Sequence, residues 1–410
     1  MIPTIACCTG AQVNMGDRSR KKISANVLLL SAVSFLNDLS SEIIMPILPM
    51  FLESLGAGGK VIGLVGGLRD GISNILKVFC GYWSDKTGKR RIFMYSGYFT
   101  STIFKLLLAI SRIWQSAVVF SCLERMGKGL RTAARDAVIA ESMATERGRG
   151  FGIHRSLETA GAILGAVVAF GLFWFLKLEF RHIILIAGII GFAAIVPIRF
   201  VSESEARPQK ITLKLGIAGL PVRLKLFILV SSVFALGNFS YMFFVMKAQG
   251  IFSGRLSVAA PILLYVLFNV VYSALAVPLG SISDRIGREK VIIFGYICFS
   301  VTAAGFALLS SLAAYTGLFA LYGVVHAAID GNQRAYVADL ASEHLKATAI
   351  GTFHTATGLA ALPGGLLAGL LWERFSPQAT FIYGGILGLL AVLLFIIFAK
   401  ASAKLQVRPT

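Results

Sequence analysis

The chain has 410 residues, of which 56% are hydrophobic and only 14% are charged, and its formal net charge is +19. A soluble protein of this length carries roughly a quarter charged residues, so this composition excludes an ordinary soluble globular domain. A positive charge of this size suggests nucleic-acid binding in a soluble protein, so its meaning depends on where the basic residues fall.

Apolar stretches recur along the chain, and each can cross roughly 30 Å of hydrocarbon as a helix. Backbone groups in lipid must be satisfied within the segment, which predicts helices rather than open strands. In the first half they cover residues 25–52, 60–82, 92–110, 115–140, 150–175 and 181–200. In the second half they cover residues 225–247, 258–280, 289–309, 312–337, 347–371 and 379–400. The predicted fold class is all-α integral membrane, with twelve transmembrane helices.

The longest polar stretch lies between these two groups of helices. It predicts two six-helix bundles, at residues 25–200 and 225–400, joined by a cytoplasmic linker at residues 201–224. Cytoplasmic tails precede and follow them, at residues 1–24 and 401–410.

Lysine and arginine are concentrated in alternate connections between the predicted helices. The rich connections hold Arg18, Arg20, Lys21, Lys22, Lys86, Lys89, Arg90, Arg91, Arg285, Arg288 and Lys290. Because loops rich in Lys and Arg stay in the cytoplasm, both termini are predicted to be cytoplasmic in a multi-pass protein of the inner membrane. The positive charge is then a topology signal, and no nucleic-acid partner is expected.

The two halves resemble each other in sequence. The residues that recur at an offset of about 199 include Gly81, Asp85, Lys86, Gly88 and Lys89, which match Gly280, Asp284, Arg285, Gly287 and Arg288. The same offset relates Arg135 to Arg334. Duplicated helical halves with a cleft between them are a common architecture of carriers that work by alternating access.

The connection after the second helix combines small and charged residues. Gly81 and Gly88 permit a close helix approach and a tight turn, and Asp85 can meet an arginine or a helix N-terminus at the membrane edge. Lys86, Lys89 and Arg90 anchor it in the cytosol. A basic hairpin that only follows the positive-inside rule is the alternative, and the second copy at Gly280–Arg288 argues against it.

At these residues the sequence resembles the major facilitator superfamily. Its signature between helices 2 and 3, G-x-x-x-D-[RK]-x-G-[RK]-[RK], is nearly complete at Gly81–Arg90 and weaker at Gly280–Arg288. The resemblance, from about Ile23 to Lys400, implies two pseudo-symmetric bundles, with helices 1, 4, 7 and 10 lining a central cavity. It also implies rocker-switch transport, in which both copies act as a conformational latch and Asp85 helps to hold the outward-facing state. We expect a functional monomer that needs no cofactor and is driven by the proton-motive force.

A second resemblance lies on the fourth helix. Arg125–Gly129 follows the R-x-x-x-G pattern of proton-coupled antiporters in the superfamily. Their other signature, G-x-x-x-G-P on helix 5, is half present, because Gly161 and Gly165 are followed by Ala166 instead of proline. The strings Asn37–Glu42 and Gly127–Asp136 resemble a prokaryotic efflux-type branch. The resemblance implies no particular substrate.

Charged side chains occur at membrane depth, where each costs roughly 2.5–3.5 kcal/mol unless it is paired or faces water. Asp38 and Glu42 lie four residues apart on one helix face, within reach of Arg125 if helices 1 and 4 are neighbours. Three explanations remain open: a proton-coupling pair, a static ion pair and a substrate-binding pair. The predicted proton-coupling and cavity residues are Asp38, Glu42, Glu124, Arg125 and Arg131.

A further set of polar side chains falls on helix faces that line or flank the expected cavity. The predicted substrate or gating residues are Asp70, Lys77, Arg135, Arg155, Glu158, Asn238, Tyr241, His326, Asp330 and Arg334. Packing or a structural hydrogen-bond network is the alternative for each of them.

The sequence therefore predicts a secondary active transporter that moves a small solute, most simply by proton-coupled efflux. Proton-coupled uptake of an anionic solute is the first alternative, because Arg125, Arg131 and Arg135 form a basic strip. A non-transporting sensor on the same fold is the second. We expect no enzyme and no metal site, because there is no soluble domain to house an active site and the histidines lack ligand spacing such as H-E-x-x-H. The sequence also contains no Walker-type phosphate loop, which argues against ATP-driven transport by this chain alone.

Overall fold

The computed structural model describes residues 23–143, 147–202, 219–342 and 345–406. Within these ranges the chain forms fourteen α-helices and one short 3-10 helix. Of the predicted tails and linker, residues 1–22, 203–218 and 407–410 lie outside the described part.

The first half of the chain contains seven of the α-helices. They are α1 (Ala25–Ile44), α2 (Leu48–Ser54), α3 (Gly59–Thr87), α4 (Arg90–Ala109), α5 (Trp114–Ser142), α6 (Arg147–Trp174) and α7 (Phe180–Ala193), and the 3-10 helix Val196–Phe200 follows them. The second half contains α8 (Val222–Gly237), α9 (Met242–Gln249), α10 (Leu256–Ile286), α11 (Arg288–Leu308), α12 (Leu312–Leu340), α13 (Lys346–Arg374) and α14 (Pro377–Gln406).

These helices make twelve membrane-spanning segments, because α1 with α2 and α8 with α9 each form one interrupted span. Ten of the twelve are long and apolar enough, by length and composition, to cross a membrane. The other two, α3 and α5, carry many of the charged residues at membrane depth. The prediction of an all-α membrane protein built from two six-span bundles is confirmed.

At both copies of the repeated motif the helix ends later than predicted. Helix α3 runs to Thr87 and α10 to Ile286, so most of each copy is helical instead of loop. Each helix ends only at a glycine with a positive φ, which is +68° at Gly88 and +99° at Gly287. A glycine adopts a positive φ without the steric cost that a Cβ atom brings, so the second glycine of each copy is where the helix can end.

Glycines set the close helix contacts inside the first half. A Cβ atom added to Gly161 or Gly165 of α6 would lie 2.4 Å from the carbonyl oxygen of Phe35 or Leu39 on α1. These two glycines form the half-present antiporter signature of the fifth span, which is α6. They let the backbones of α6 and α1 approach closely, as small residues do between membrane helices.

The two halves pack tightly at the end of the molecule where α3 begins and α13 ends. A Cβ atom on Gly63 would lie 2.2 Å from the carbonyl oxygen of Gly365, and one on Gly369 would lie 2.5 Å from that of Gly59. At the same end the Lys60 amide donates to the Glu373 carboxylate over 3.0 Å. We call this end the closed end. The described chain ends, near Ile23 and Gln406, lie at the opposite end, which we call the termini end.

Candidate functional site

A central cavity of about 530 Å³ lies between the two halves. Its walls come from α1, α3, α5 and α6 in the first half and from α8, α10, α12 and α13 in the second. Helices α1, α5, α8 and α12 belong to spans 1, 4, 7 and 10, which the family resemblance implies as the cavity lining. The other four helices belong to the neighbouring spans 2, 5, 8 and 11.

The cavity is sealed on one side only. Among the described residues, the side-chain hydrogen bonds between the halves lie at mid-depth or nearer the closed end, as with Gln249 to Glu53 at 3.2 Å, with the exception of the bond from Arg155 to Tyr272 at 2.8 Å. A second cavity, of about 330 Å³, shares its charged walls and extends to Gly280 and Gly331, near the termini end. Access to the centre is therefore from the termini end.

Charged groups of both signs line the central cavity in equal number. The six carboxylates are Asp38, Glu42, Asp70, Asp136, Glu158 and Asp330. The six cations are Lys77, Arg125, Lys128, Arg135, Arg155 and Arg334. His326, Asn238 and Tyr241 also line it. Two of the predicted residues, Glu124 and Arg131, do not.

Glu42 makes a contact that joins the two halves. The Tyr265 hydroxyl of α10 donates to a carboxylate oxygen of Glu42 on α1 over 2.7 Å. Asp38, one turn away, accepts from the side-chain amide of Asn37 over 3.1 Å. The predicted ion pair of Asp38 or Glu42 with Arg125 is not among the salt bridges of the described residues, because Glu42 is directed across the cavity towards Tyr265.

Both interrupted spans break beside this contact. The break between α1 and α2 exposes the carbonyl of Met45, which accepts a 2.9 Å hydrogen bond from the Tyr241 hydroxyl. Tyr241 and Asn238 lie in the break between α8 and α9, and the Asn238 amide oxygen is buried with no partner among the described residues. Such breaks free backbone polar groups for solutes at mid-membrane depth.

Aromatic rings cover the second-half wall of the cavity. Tyr241 and Tyr265 have ring centroids 5.4 Å apart, and Tyr265 and Phe268 are 5.6 Å apart. Phe268 in turn lies 6.2 Å from Tyr272 and 5.0 Å from Tyr322. This wall was missed from the sequence, except for Tyr241, because an aromatic residue on a membrane helix does not reveal which way it faces.

A polar network lies between this wall and the termini end. Glu158 accepts from Arg135 over 3.2 Å and from Arg155 over 2.6 Å. Arg155 also donates to the Tyr272 hydroxyl of the second half over 2.8 Å. On α12, His326 and Asp330 are 3.3 Å apart. Of the six cations that line the cavity, Arg135 and Arg155 form ion pairs, and the other four have none among the described residues: Lys77, Arg125, Lys128 and Arg334.

Glu124 and Arg131 lie in the interior of the first half instead of the cavity. Glu124 pairs with Arg69 over 3.1 Å and accepts from Ser101 over 3.1 Å. The Arg131 guanidinium lies 4.5 Å from the ring centroid of Tyr98. The sequence places these charges at membrane depth, but the direction of each side chain follows from helix packing.

The Arg69–Glu124 pair allows a prediction of stability. Each side chain is only 5% exposed, and removing one member of a buried pair leaves an unpaired charge, so Arg69→Met is expected to cost about 3–5 kcal/mol. Arg69→Met with Glu124→Met should recover much of the loss. Thermal unfolding of the purified variants measures both. Equal loss in the single and double variants would contradict an ion-pair role.

The two copies of the repeated motif form matching ion-pair clusters. Arg90 is 3.5 Å from Asp85 and also pairs with Glu141, and Arg288 is 3.0 Å from Asp284 and also pairs with Asp339. The two acidic partners, at the ends of α5 and α12, were not predicted from the sequence. In both copies these contacts stay within one half, and the latch function remains a prediction.

Comparisons with known proteins agree with this architecture. The sequence pattern described as Major Facilitator Superfamily matches residues 30–262 and, separately, residues 228–410. An uncharacterized MFS-type transporter of Methanocaldococcus jannaschii is 51% identical over 93% of this chain and 96% of its own length. Multidrug resistance protein MdtH of Shigella dysenteriae is 27% identical over 32% of each chain.

A similar fold is present in a solved structure. The crystal structure of a mutant of nucleoside transporter NupG aligns with a TM-score of 0.77 over 91% of this chain and 99% of that one, at 14% identity, which shows the fold alone. Two interrupted spans, a duplicated helical half and a charged central cavity are thus found together with a sequence match along nearly the whole chain. The protein belongs to the major facilitator superfamily and is a multi-pass membrane transporter.

Proposed function

We propose that this transporter exports a small polar solute by antiport with protons, with Glu42 as the carboxylate that exchanges the proton. The observation that supports this most is the hydrogen bond of Glu42 to Tyr265. It places a proton-binding group of the cavity on a contact between the two halves, so the state of the carboxylate and the position of the halves affect each other.

The coupling follows from the environment of this carboxylate. Whether a carboxylate holds a proton depends on its hydration, nearby charges and hydrogen bonds. Tilting one half against the other breaks the hydrogen bond at Glu42, because Tyr265 belongs to the opposite half, and it changes the hydration of the carboxylate as the cavity opens or closes. A proton taken up on one side of the membrane is then released on the other, and solute binding to the neighbouring cations competes with it.

The chemistry of the cavity wall supports a polar solute with an anionic group. Lys77 and Arg125 face the cavity without an ion pair among the described residues, and guanidinium groups suit carboxylate or phosphate. The aromatic wall from Tyr241 to Tyr322 offers ring faces to the rest of the molecule. If the transported solute were a lipophilic cation, Lys77 and Arg125 would have no opposite charge to bind, which argues against that class of solute.

Export as the direction is supported by the similarity to MdtH, whose name is that of a multidrug resistance protein. Uptake by proton symport is the second candidate, because the unpaired cations at Lys77 and Arg125 would also serve to collect an anion. We further propose a functional monomer in the inner membrane with both termini in the cytoplasm, in line with the basic residues at the termini end.

The test uses proteoliposomes that contain the purified chain and an internal pH dye. Pools of nucleosides, amino acids, organic acids and sugar phosphates are added under an imposed pH gradient. We expect one pool to move protons only in protein-containing vesicles, and the sign of the pH change separates antiport from symport. If a pool exchanges across the membrane by counterflow with no proton movement, the coupling proposal fails while the transporter assignment stands.

A further inference from the structure

A groove on the outer surface lies apart from the central cavity, at the termini end. Its volume is about 890 Å³. It runs from the first turns of α4 to the 3-10 helix that follows α7. The residues that line it are Lys89, Arg91, Ile92, Tyr95, Ser96, Phe99 and Arg199.

The groove has one basic end and one apolar end. Lys89, Arg91 and Arg199 supply three positive charges, and no acidic residue is among the described residues that line it. Ile92 and Phe99 continue from there along α4 with 59% and 47% of their surface exposed. A helix rises about 1.5 Å per residue, so the lining of α4 extends about 15 Å from Lys89.

The basic end is held in place by a backbone contact. A guanidinium nitrogen of Arg91 donates to the carbonyl oxygen of Arg199 over 2.7 Å. This bond ties the start of α4 to the 3-10 helix and brings the side chains of Lys89 and Arg199 to the same edge. The cluster is therefore positioned by the fold before any ligand binds.

We propose that this groove binds an anionic phospholipid. Its phosphate would lie among Lys89, Arg91 and Arg199, and an acyl chain would cover Ile92 and Phe99. Three cations at the membrane edge complement an anionic headgroup, and basic pockets at this level are typical lipid sites. A soluble phosphate would satisfy the charges but leave the apolar floor of the groove without a partner. The proposal does not depend on the transported solute.

The test measures lipid binding by the full chain, purified in detergent, with native mass spectrometry and thermal unfolding. Phosphatidylglycerol is the probe, and phosphatidylcholine with the same acyl chains is the comparison lipid. We expect phosphatidylglycerol alone to bind and to raise the unfolding temperature. Lys89→Gln with Arg199→Gln should weaken its binding about thirtyfold, since each of the two basic residues near an anionic lipid contributes about 1 kcal/mol.

Arg285→Gln with Lys290→Gln is the matched control, because it removes the same charge from exposed positions of the second half. It should keep wild-type binding. Equal weakening in both double variants would overturn the site in favour of diffuse attraction. Equal stabilisation by inorganic phosphate would overturn the lipid in favour of a soluble anion.

The remaining competitor is the chain's own pair of carboxylates, Glu203 and Glu205, which follow Arg199 closely in the sequence. If wild-type protein bound no phosphatidylglycerol and the Glu203→Gln, Glu205→Gln variant did, that pair would be the occupant and the proposal would be wrong. A photoreactive phosphatidylglycerol on wild-type protein gives a readout that needs no variant. We expect its crosslinks at Ile92–Phe99, and crosslinks spread over the other spans would contradict the proposal.

Discussion

Glu42→Gln is expected to reduce solute-driven proton movement in proteoliposomes by about tenfold or more while solute exchange without a gradient persists. Glutamine has nearly the same shape and can still accept the 2.7 Å hydrogen bond from Tyr265, but it cannot carry a proton. The pH dye reports proton movement and counterflow of labelled solute reports exchange, so the two functions are read separately.

Two variants make this result specific. Glu53→Gln changes the same residue type near the closed end, where Glu53 is exposed and accepts from Gln249, and it should keep full coupling. Asp38→Asn tests the neighbouring carboxylate of the cavity. Full proton-coupled activity in both Glu42→Gln and Asp38→Asn would refute coupling through helix 1. Loss of exchange together with coupling in Glu42→Gln would favour a substrate-binding or structural role.

Gly63→Ala is expected to hinder sealing of the closed end and to lower transport by about tenfold or more. Its Cβ atom would lie 2.2 Å from the backbone carbonyl of Gly365, which is closer than any real contact, so α3 and α13 must separate. Backbone atoms cannot move aside as a flexible side chain does, and membrane helices rely on small residues for such approaches. Transport of the solute identified in the screen measures the loss.

A cysteine probe shows whether the seal opens. Asn238→Cys places a thiol in the cavity, where the structure closes it off from the closed end. We expect an impermeant thiol reagent added on that side to label it faster when Gly63→Ala is present. Gly171→Ala is the control, because a Cβ atom there meets nothing within 4 Å. Unchanged labelling and transport in Gly63→Ala would show that this contact does not form the seal.

The repeated motif shows which features of the structure a sequence pattern can predict and which it cannot. The two copies at Gly81–Arg90 and Gly280–Arg288 are enough to predict the duplicated halves, because a shared motif at a constant offset has a common origin. The partners Glu141 and Asp339 could not be found in the same way. They lie about fifty residues away along the chain, and only the packing of α5 against α4 and of α12 against α11 brings them to Arg90 and Arg288.

For the charged residues as well, the sequence predicts the depth in the membrane, and only the structure shows the contacts. The sequence places Glu42, Glu124 and Arg125 at membrane depth, where a charge requires an ion pair or water. In the structure Glu124 forms an ion pair with Arg69 inside the first bundle, whereas Glu42 accepts a hydrogen bond from Tyr265 of the other half. Periodicity shows which residues share a helix face, but the partner of that face depends on helices distant in sequence.

The sequence by itself determined the fold class, the twelve spans and the family, because the length and apolarity of membrane helices are local properties and the repeated motif is a linear pattern. The tertiary structure alone decided which charges line the cavity, where the aromatic wall lies and which end is sealed. Those features depend on the rotation of each helix about its axis and on the fit of one half against the other. That fit is made by backbone contacts at glycines such as Gly63 and Gly365, which a sequence pattern does not place in space.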